Sequence, residues 1–336
     1  MITKGKVGNE MRFCFIIEAR YRHEFMPIAV VKQLQRWGHQ VDLLEPDVAV
    51  THLPDLTRQS YEAYVLKTVS DGPGLSLLEA AEAVGIPTIN NARSVRLVRD
   101  KAVATAFAYA HGLPTPRTYF VADPCLLQQI PEADYPLVIK PTNGSSGRRI
   151  YRIDSPDDLV RLEIAATNKR FLLAQGYIEN PGFDIKLYVT GTQVYGIAKR
   201  SPLHPEVKVE KRLIPLSLEL RQLALHVGKI FGLDIYGLDV IETVNGPVVV
   251  DINDFPSFRQ VPRAATLVSA HILEIVPSAR HQRMPLTTYM QQHDQAMVEV
   301  VPEQFSLSGA ERPLKGCALS ANDSLGWGRE ACSYMR

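Results

Sequence analysis

The sequence is short of most signals that assign a function outright. Four cysteines, Cys14, Cys125, Cys317 and Cys332, are scattered over 336 residues with no CxxC spacing. That spacing excludes a disulfide framework and a zinc knuckle and leaves reduced thiols. No apolar run approaches the roughly 18 residues of a membrane span, and the N-terminus lacks the apolar core of a secretion signal. A cytoplasmic protein with no membrane partner is the expectation. Charge of one sign is also lacking: 37 Lys and Arg face 36 Asp and Glu, a net charge of +1. No basic surface for nucleic acid follows from that balance. Serine-hydrolase elbows, HExxH, papain-type Cys/His patterns, a Walker A loop and GxGxxG are missing as well.

What is present is ordinary soluble composition, 46% hydrophobic and 22% charged, in a chain long enough for two or three domains. From "RFCFIIEA" to "IPTINN", strands alternate with helices, which predicts a parallel α/β layer over roughly residues 11–92. "SVRLVRDKAVATAFAYAHG" reads as one helix stopped at Gly112. From about residue 136 the strands crowd together: "YPLVIKP", "RRIYRI", "RFLLAQGYI", "DIKLYVTG" and "QVYGIAKRS". A helix over "LSLELRQLALHVGKIFGL", a hairpin and a last helix over "AATLVSAHILEIV" complete the ordered pattern. Beyond Pro277 the periodicity fades.

Chemistry gathers in five places. In "PLVIKPTNGSSGRRIYRI" a strand ends at Lys140 and a glycine-rich loop follows. Gly144, Ser145, Ser146 and Gly147 can turn backbone N–H groups inward as an anion nest, or form a plain hairpin loop. Lys101 opens a helix. Backbone after the strand at Gly176-Tyr177-Ile178 can meet the edge of a base, and Asp184-Ile185-Lys186 opens the next strand. The stretch 198–212 is basic, with Lys199, Arg200 and Arg212 able to hold an anion or the transferring phosphoryl group, or to form a solvated loop.

The fifth place is the hairpin "YGLDVIETVNGPVVVDINDF". A two-residue loop, Asn245-Gly246, sets Asp239 opposite Ile252. A three-residue loop, Val244 to Gly246, matches the apolar residues and pairs Asp239 with Asp251. Like charges directly opposite are destabilising, so a compensating group is required. Asp251 and Asn253 share a strand face, and in the second register Asp239 joins them. Two carboxylates and an amide oxygen are hard ligands suited to Mg²⁺ bridging nucleotide phosphates.

In order along the chain, these elements resemble the ATP-grasp superfamily over about residues 11–276. The resemblance is carried by Lys101 after Asp100, Lys140 before the GSSG loop, "AQGYI", "FDIKLYVTG", "GLDVIE" and "DINDFPSF". It implies an α/β and α+β chain in five parts. These are a flexible start at 1–10, an N-terminal Rossmann-like domain at 11–98 and a small central subdomain at 99–176. A C-terminal antiparallel-sheet subdomain follows at 177–277, and an irregular or disordered tail at 278–336. It also implies ATP with Mg²⁺, or Mn²⁺, held between the last two ordered parts. Lys101, Lys140, Gly144, Ser145, Ser146, Gly147, Gln175, Gly176, Tyr177, Ile178, Asp184 and Lys186 would hold the nucleotide. Asp239, Asp251 and Asn253 would hold the metal.

Within the superfamily the chain looks most like the RimK-type amino-acid ligases, which join a carboxylate to an amine through an acyl phosphate. On that reading Lys199 and Arg200 stabilise the transferring group, and the substrate is a small molecule or peptide bearing a carboxylate. "AYVLKTVSD" and "DINDFPSF" are also similar to the inositol polyphosphate 5/6-kinases, which would give Lys67 and Arg212 a substrate role toward a polyol phosphate. A nucleotide sensor without catalysis is the third alternative. A homo-oligomer is compatible with all three.

Overall fold

The computed structural model describes residues 10–70, 72–142, 150–161 and 171–281. Residues 1–9, the glycine-rich loop with Gly144, Ser145, Ser146 and Gly147, and the tail from 282 onward lie outside the described residues.

The N-terminal part alternates as its sequence demands. Strands β1 (Arg12–Ile17), β2 (Gln40–Leu44), β3 (Ala63–Lys67) and β4 (Thr88–Ile89) form a parallel sheet in the order β2-β1-β3-β4. Helix α1 (Phe25–Arg36) buries Val30, Val31 and Leu34, the stripe that a 3.6-residue period allows. It ends at Gly38, whose φ of +89° suits a residue without a Cβ. Short α2 (Asp55–Arg58) and longer α3 (Gly74–Ala83) connect the later strands.

The single helix expected from Ser94 to Gly112 is two. α4 (Ala92–Arg99) and α5 (Lys101–Ala110) meet at Asp100. Asp100 has extended backbone, and its carboxylate accepts from the Ala102 and Val103 N–H groups. A side chain that satisfies two otherwise orphaned donors starts a new helix there.

A second four-stranded sheet follows, with β5 (Thr118–Val121), β6 (Leu137–Pro141), β7 (Tyr151–Ile153) and β8 (Leu172–Gly176) in the order β5-β8-β6-β7. The third sheet has β9 (Phe183–Thr190), β10 (Gln193–Arg200), β11 (Leu213–Ile214), β12 (Ile235–Thr243) and β13 (Gly246–Asp254) in the order β11-β10-β9-β12-β13. Between its strands runs α6 (Leu218–Phe231), capped by the Ser217 hydroxyl and stopped at Gly232, φ +65°. The last helix, α7 (Ala264–His281), runs through Pro277 and so continues beyond the boundary expected at that residue.

One apolar core joins the first and third sheets. Phe13, Phe15, Val30, Leu34 and Val65 pack with Ile235, Phe258, Val268 and Ile272. At the same junction the Asn90 amide accepts from the Asp234 and Ile235 N–H groups and donates to the Ile235 carbonyl, which fixes the start of β12. No helix among the described residues is long and apolar enough to cross a membrane.

Candidate active site

The β12–β13 hairpin brings the two acids together by neither expected route. Its loop has two residues, Val244 and Asn245, between the paired Thr243 and Gly246. In that register, Val240 pairs with Val249. The ladder then slips by one residue between Val240 and Asp239, leaving Val250 as a bulge, and resumes with Asp239 opposite Asp251. The acids therefore face each other as in the expected three-residue register, but a β-bulge provides the extra residue. Contacts from outside the hairpin favour the bulge: the Val249 N–H donates to the Pro114 carbonyl at 2.8 Å, and the Val250 carbonyl accepts from Lys140 Nζ at 2.9 Å. A bulge releases backbone groups from the ladder, and here one of them receives the lysine.

Lysines compensate the opposed carboxylates. Lys186 Nζ lies 3.0 Å from Asp239 Oδ2, and Lys199 Nζ lies 3.4 Å from Oδ1. Lys101 Nζ pairs with Asp251 Oδ1, while Asn253 Nδ2 donates to Asp251 Oδ2 at 3.3 Å. Burial raises the Asp251 carboxyl, but Lys101 and Lys140 outweigh it and hold its pKa at about 2. Asp239 is likewise raised by burial and brought below the usual carboxylate range by Lys186 and Lys199. The cost appears on Lys140, whose ammonium burial pushes down to about 8. Four ammonium groups facing two carboxylates leave the patch positive.

Local folding explains why these lysines meet. The Lys101 N–H donates to the Thr142 carbonyl, which ties the start of α5 to the end of β6 and so sets Lys101 beside Lys140. Period-2 alternation along β9 and β10 turns Lys186 and Lys199 onto the Asp239 face. The same alternation removes Arg200 from the cluster: its guanidinium is exposed and donates to the Pro205 carbonyl. Arg212 is exposed at the entry to β11, where its carbonyl accepts from the Ala198 N–H. Neither arginine contacts the two acids.

The expected nucleotide contacts fall on both sides of this cluster. Gln175 is buried and donates to the Thr118 hydroxyl; with Lys101, Lys140 and Asp251 it lines one narrow cleft. The Gly176 N–H is taken by the Arg117 carbonyl and the Tyr177 N–H by the Pro136 carbonyl, so neither donor is offered to a base. Ile178 lies just beyond the end of β8. The Tyr177 hydroxyl meets His204 Nε2 at 3.1 Å, and Arg152 stacks over the Tyr177 ring. Asp184, opposite Lys199 in the ladder, is buried; burial raises its pKa, and the neighbouring Asp239 adds to that.

Two positions beside the cluster, Arg99 and Asp254, escaped the sequence patterns. Arg99 is buried and forks onto Asp254, with Nη2–Oδ2 at 2.8 Å, while also donating to the Thr68 hydroxyl and carbonyl and to the Val69 carbonyl. It locks the loop after β3 against the end of β13. Both partners adjoin residues already singled out, Asp100 and Asn253, and that adjacency was the available signal. Lys67 ends β3 and donates to the Phe255 carbonyl, and burial lowers its ammonium to about 8.

The donor set fits a divalent cation on a nucleotide. Among the described residues no group of three or more His, Cys, Asp or Glu side chains converges. A metal would therefore rest on two carboxylates and the Asn253 amide oxygen, with phosphate oxygens completing the shell. Such oxygen-only, partial sets suit Mg²⁺, which is commonly bound through one or two carboxylates plus substrate phosphates. The surplus of ammonium groups suits the phosphates themselves.

Comparison with known proteins gives a consistent result. The model of the RimK-like ATP-grasp domain matches residues 98–276. A probable alpha-L-glutamate ligase of Haemophilus influenzae strain PittEE is 26% identical over 273 residues, covering 72% of this chain and 91% of the relative. The alpha-aminoadipate–LysW ligase LysX of Saccharolobus solfataricus is 26% identical over 260 residues, covering 73% and 94%. Among solved structures, a RimK domain ATP-grasp protein from Sphaerobacter thermophilus aligns with a TM-score of 0.62 at 19% identity, over 77% of this chain and 98% of the other. D-cycloserine synthetase aligns at 0.63 and 18%, over 79% and 99%. The ATP-grasp ligase PsnB, complexed with minimal precursor, Mg and ADP, aligns at 0.58 and 18%, over 78% and 96%.

Proposed function

The chain belongs to the RimK-like ATP-grasp family, and from that membership we propose that it is an ATP-dependent carboxylate–amine ligase working with Mg²⁺. The γ-phosphoryl group passes to a substrate carboxylate, giving an acyl phosphate and ADP. An amine then attacks the acyl carbon, the C–O bond to phosphate breaks, and inorganic phosphate leaves as the amide forms. Ligases among the relatives favour this over a polyol-phosphate kinase or a sensor.

Each residue has a physical task. Lys101 and Lys140 hold phosphate oxygens, and each exchanges a protein partner, Asp251 or the Val250 carbonyl, for the nucleotide. Asp239, Asp251 and Asn253 hold the metal, which supplies neutralisation of charge developing on the phosphates. Lys199, beside Asp239, faces the transferring group and stabilises it electrostatically. The second and third sheets, residues 99–176 and 177–277, serve as the two sides of the nucleotide clasp, with Gln175 and the chain through Ile178 at its base end.

One observation carries this assignment: two opposed carboxylates kept ionised by a surplus of lysines, an arrangement that stores positive charge for a triphosphate. The test is an ADP-release screen over acids paired with amines, with products identified by mass. Amide product and free phosphate in equal amounts support ligation. Phosphate retained on the product would identify a kinase instead, and no turnover with any pair, despite Mg-ATP binding, would identify a sensor.

A further inference from the structure

A cavity of about 260 Å³ lies where the carboxyl ends of β1 and β3 face the end of β13, lined by Tyr21, Lys67, Arg99, Lys186, Asn253 and Ser257 among others. In the order β2-β1-β3-β4 the connections reverse direction between β1 and β3. Open parallel sheets take ligands beyond the carboxyl ends of their strands at that switch point. Lys67 is the last residue of β3, and Tyr21 follows β1. The volume is below the ~300–1,000 Å³ of sites for drug-sized ligands, so the occupant is small.

Three of the cations around this cavity already face a carboxylate: Arg99 with Asp254, Lys101 with Asp251, Lys186 with Asp239. Lys67 differs. Among the described residues its ammonium forms no ion pair; it donates to the Phe255 carbonyl and lies 5.2 Å from the centre of the Tyr21 ring. A sheltered ammonium held by a carbonyl and a ring face gains more from an incoming anion than one already matched with a carboxylate. Its charged neighbours are Asp254, Arg99, Lys186 and Glu24, whereas those of Lys199 are Asp239, Asp184 and Asp251. Lys67 and Lys199 thus share none of these charged neighbours.

Resting on the ligase assignment, we propose that this cavity is the acid-substrate subsite and that it selects a small acid carrying a second anionic group. One carboxylate is activated at the end formed by Lys186 and Asn253, where Lys186 and Lys199 share Asp239, and the other, remote from the reaction, is held by Lys67. The substrate's two charges are thereby read by two separate cations, and a monoanionic acid of the same shape leaves Lys67 unmatched.

The test is calorimetric binding of glutarate and of its monoamide, glutaramate, to the full chain with Mg²⁺ and a non-hydrolysable ATP analogue. The wild type should bind glutarate at least tenfold more tightly. Lys67→Met should bring the two acids to equal affinity, and Lys67→Arg should keep most of the preference. Binding of the nucleotide analogue by each variant reports that it is folded. Equal binding of both acids by the wild type, binding of neither, or a preference that survives in Lys67→Met overturns the proposal. Because binding is read without turnover, the two ideas fail separately. If glutarate binds through Lys67 but no acid and amine together release ADP, the subsite stands and the ligase assignment falls.

Discussion

Raising the pH toward 9.5 should neutralise Lys140 in the nucleotide-free protein, so that ATP then binds with the uptake of a proton. Burial holds this ammonium at about 8, with Lys101 adding to the effect and Asp251 opposing it. A phosphate oxygen placed against Nζ restores the charged form and returns the group toward its ordinary value of about 10.5. At pH 7 nearly every nucleotide-free molecule already carries the proton, and binding should take up only about 0.1 proton. At pH 8.5 roughly three quarters are neutral, and uptake should rise to about 0.7. The linked loss of affinity between pH 7 and 9.5 is about thirtyfold, or ~2 kcal/mol. Titrating Mg-ATP at each pH in two buffers of different ionisation enthalpy measures the uptake directly. Lys140→Met should abolish its rise with pH. Uptake that is no greater at pH 8.5 than at pH 7, or that persists in the variant, would refute the assignment of Lys140 to the phosphates.

Asp251→Ala should keep its circular dichroism spectrum but lose at least ~10²-fold in ADP release, since it removes a proposed metal ligand and the partner of Lys101. Lys67→Met should be more stable than wild type at pH 7. The folded pKa of Lys67, about 8, lies below its unfolded value, so the penalty is full below pH 8 and fades as pH rises toward 10.5. The penalty relieved is about 3 kcal/mol, less ~1–2 kcal/mol for the Phe255 carbonyl left without its donor. Urea unfolding at pH 7 and at pH 10 should show that advantage and then its loss. Asn90→Ala removes the partner of three backbone groups at the start of β12 and should cost about 3 kcal/mol or more in the same assay.

The parallel layer was legible because buried strands and amphipathic helices alternate with glycine stops, and each of those signals is local. So was the meeting of Asp239 with Asp251, since apolar matching along the hairpin allows few registers. The bulge was not legible. It is held by Pro114 and Lys140, which are far away in sequence, and a period-2 pattern assumes an unbroken ladder. The lysines beside the acids could be named one by one, but that they pair with the carboxylates depends on three separate elements packing together. That Arg200 points away from the Asp239 face was legible in sequence: two successive strand residues point to opposite faces, so Lys199 and Arg200 cannot both face Asp239. The Arg99–Asp254 pair spans 155 residues and leaves no local trace.

Because the slip at Val250 sits between the turn and the acids, the geometry of the acids is set within the strands and not at the tip. Val244, at that tip, is fully exposed, and the turn is closed locally by the Thr243 hydroxyl, which donates to the Gly246 carbonyl and accepts from the Asn245 N–H. A dye or affinity handle attached there would ride on the outside of the molecule while the acids keep their mutual spacing. The same separation leaves the tip open to substitution without moving the acids.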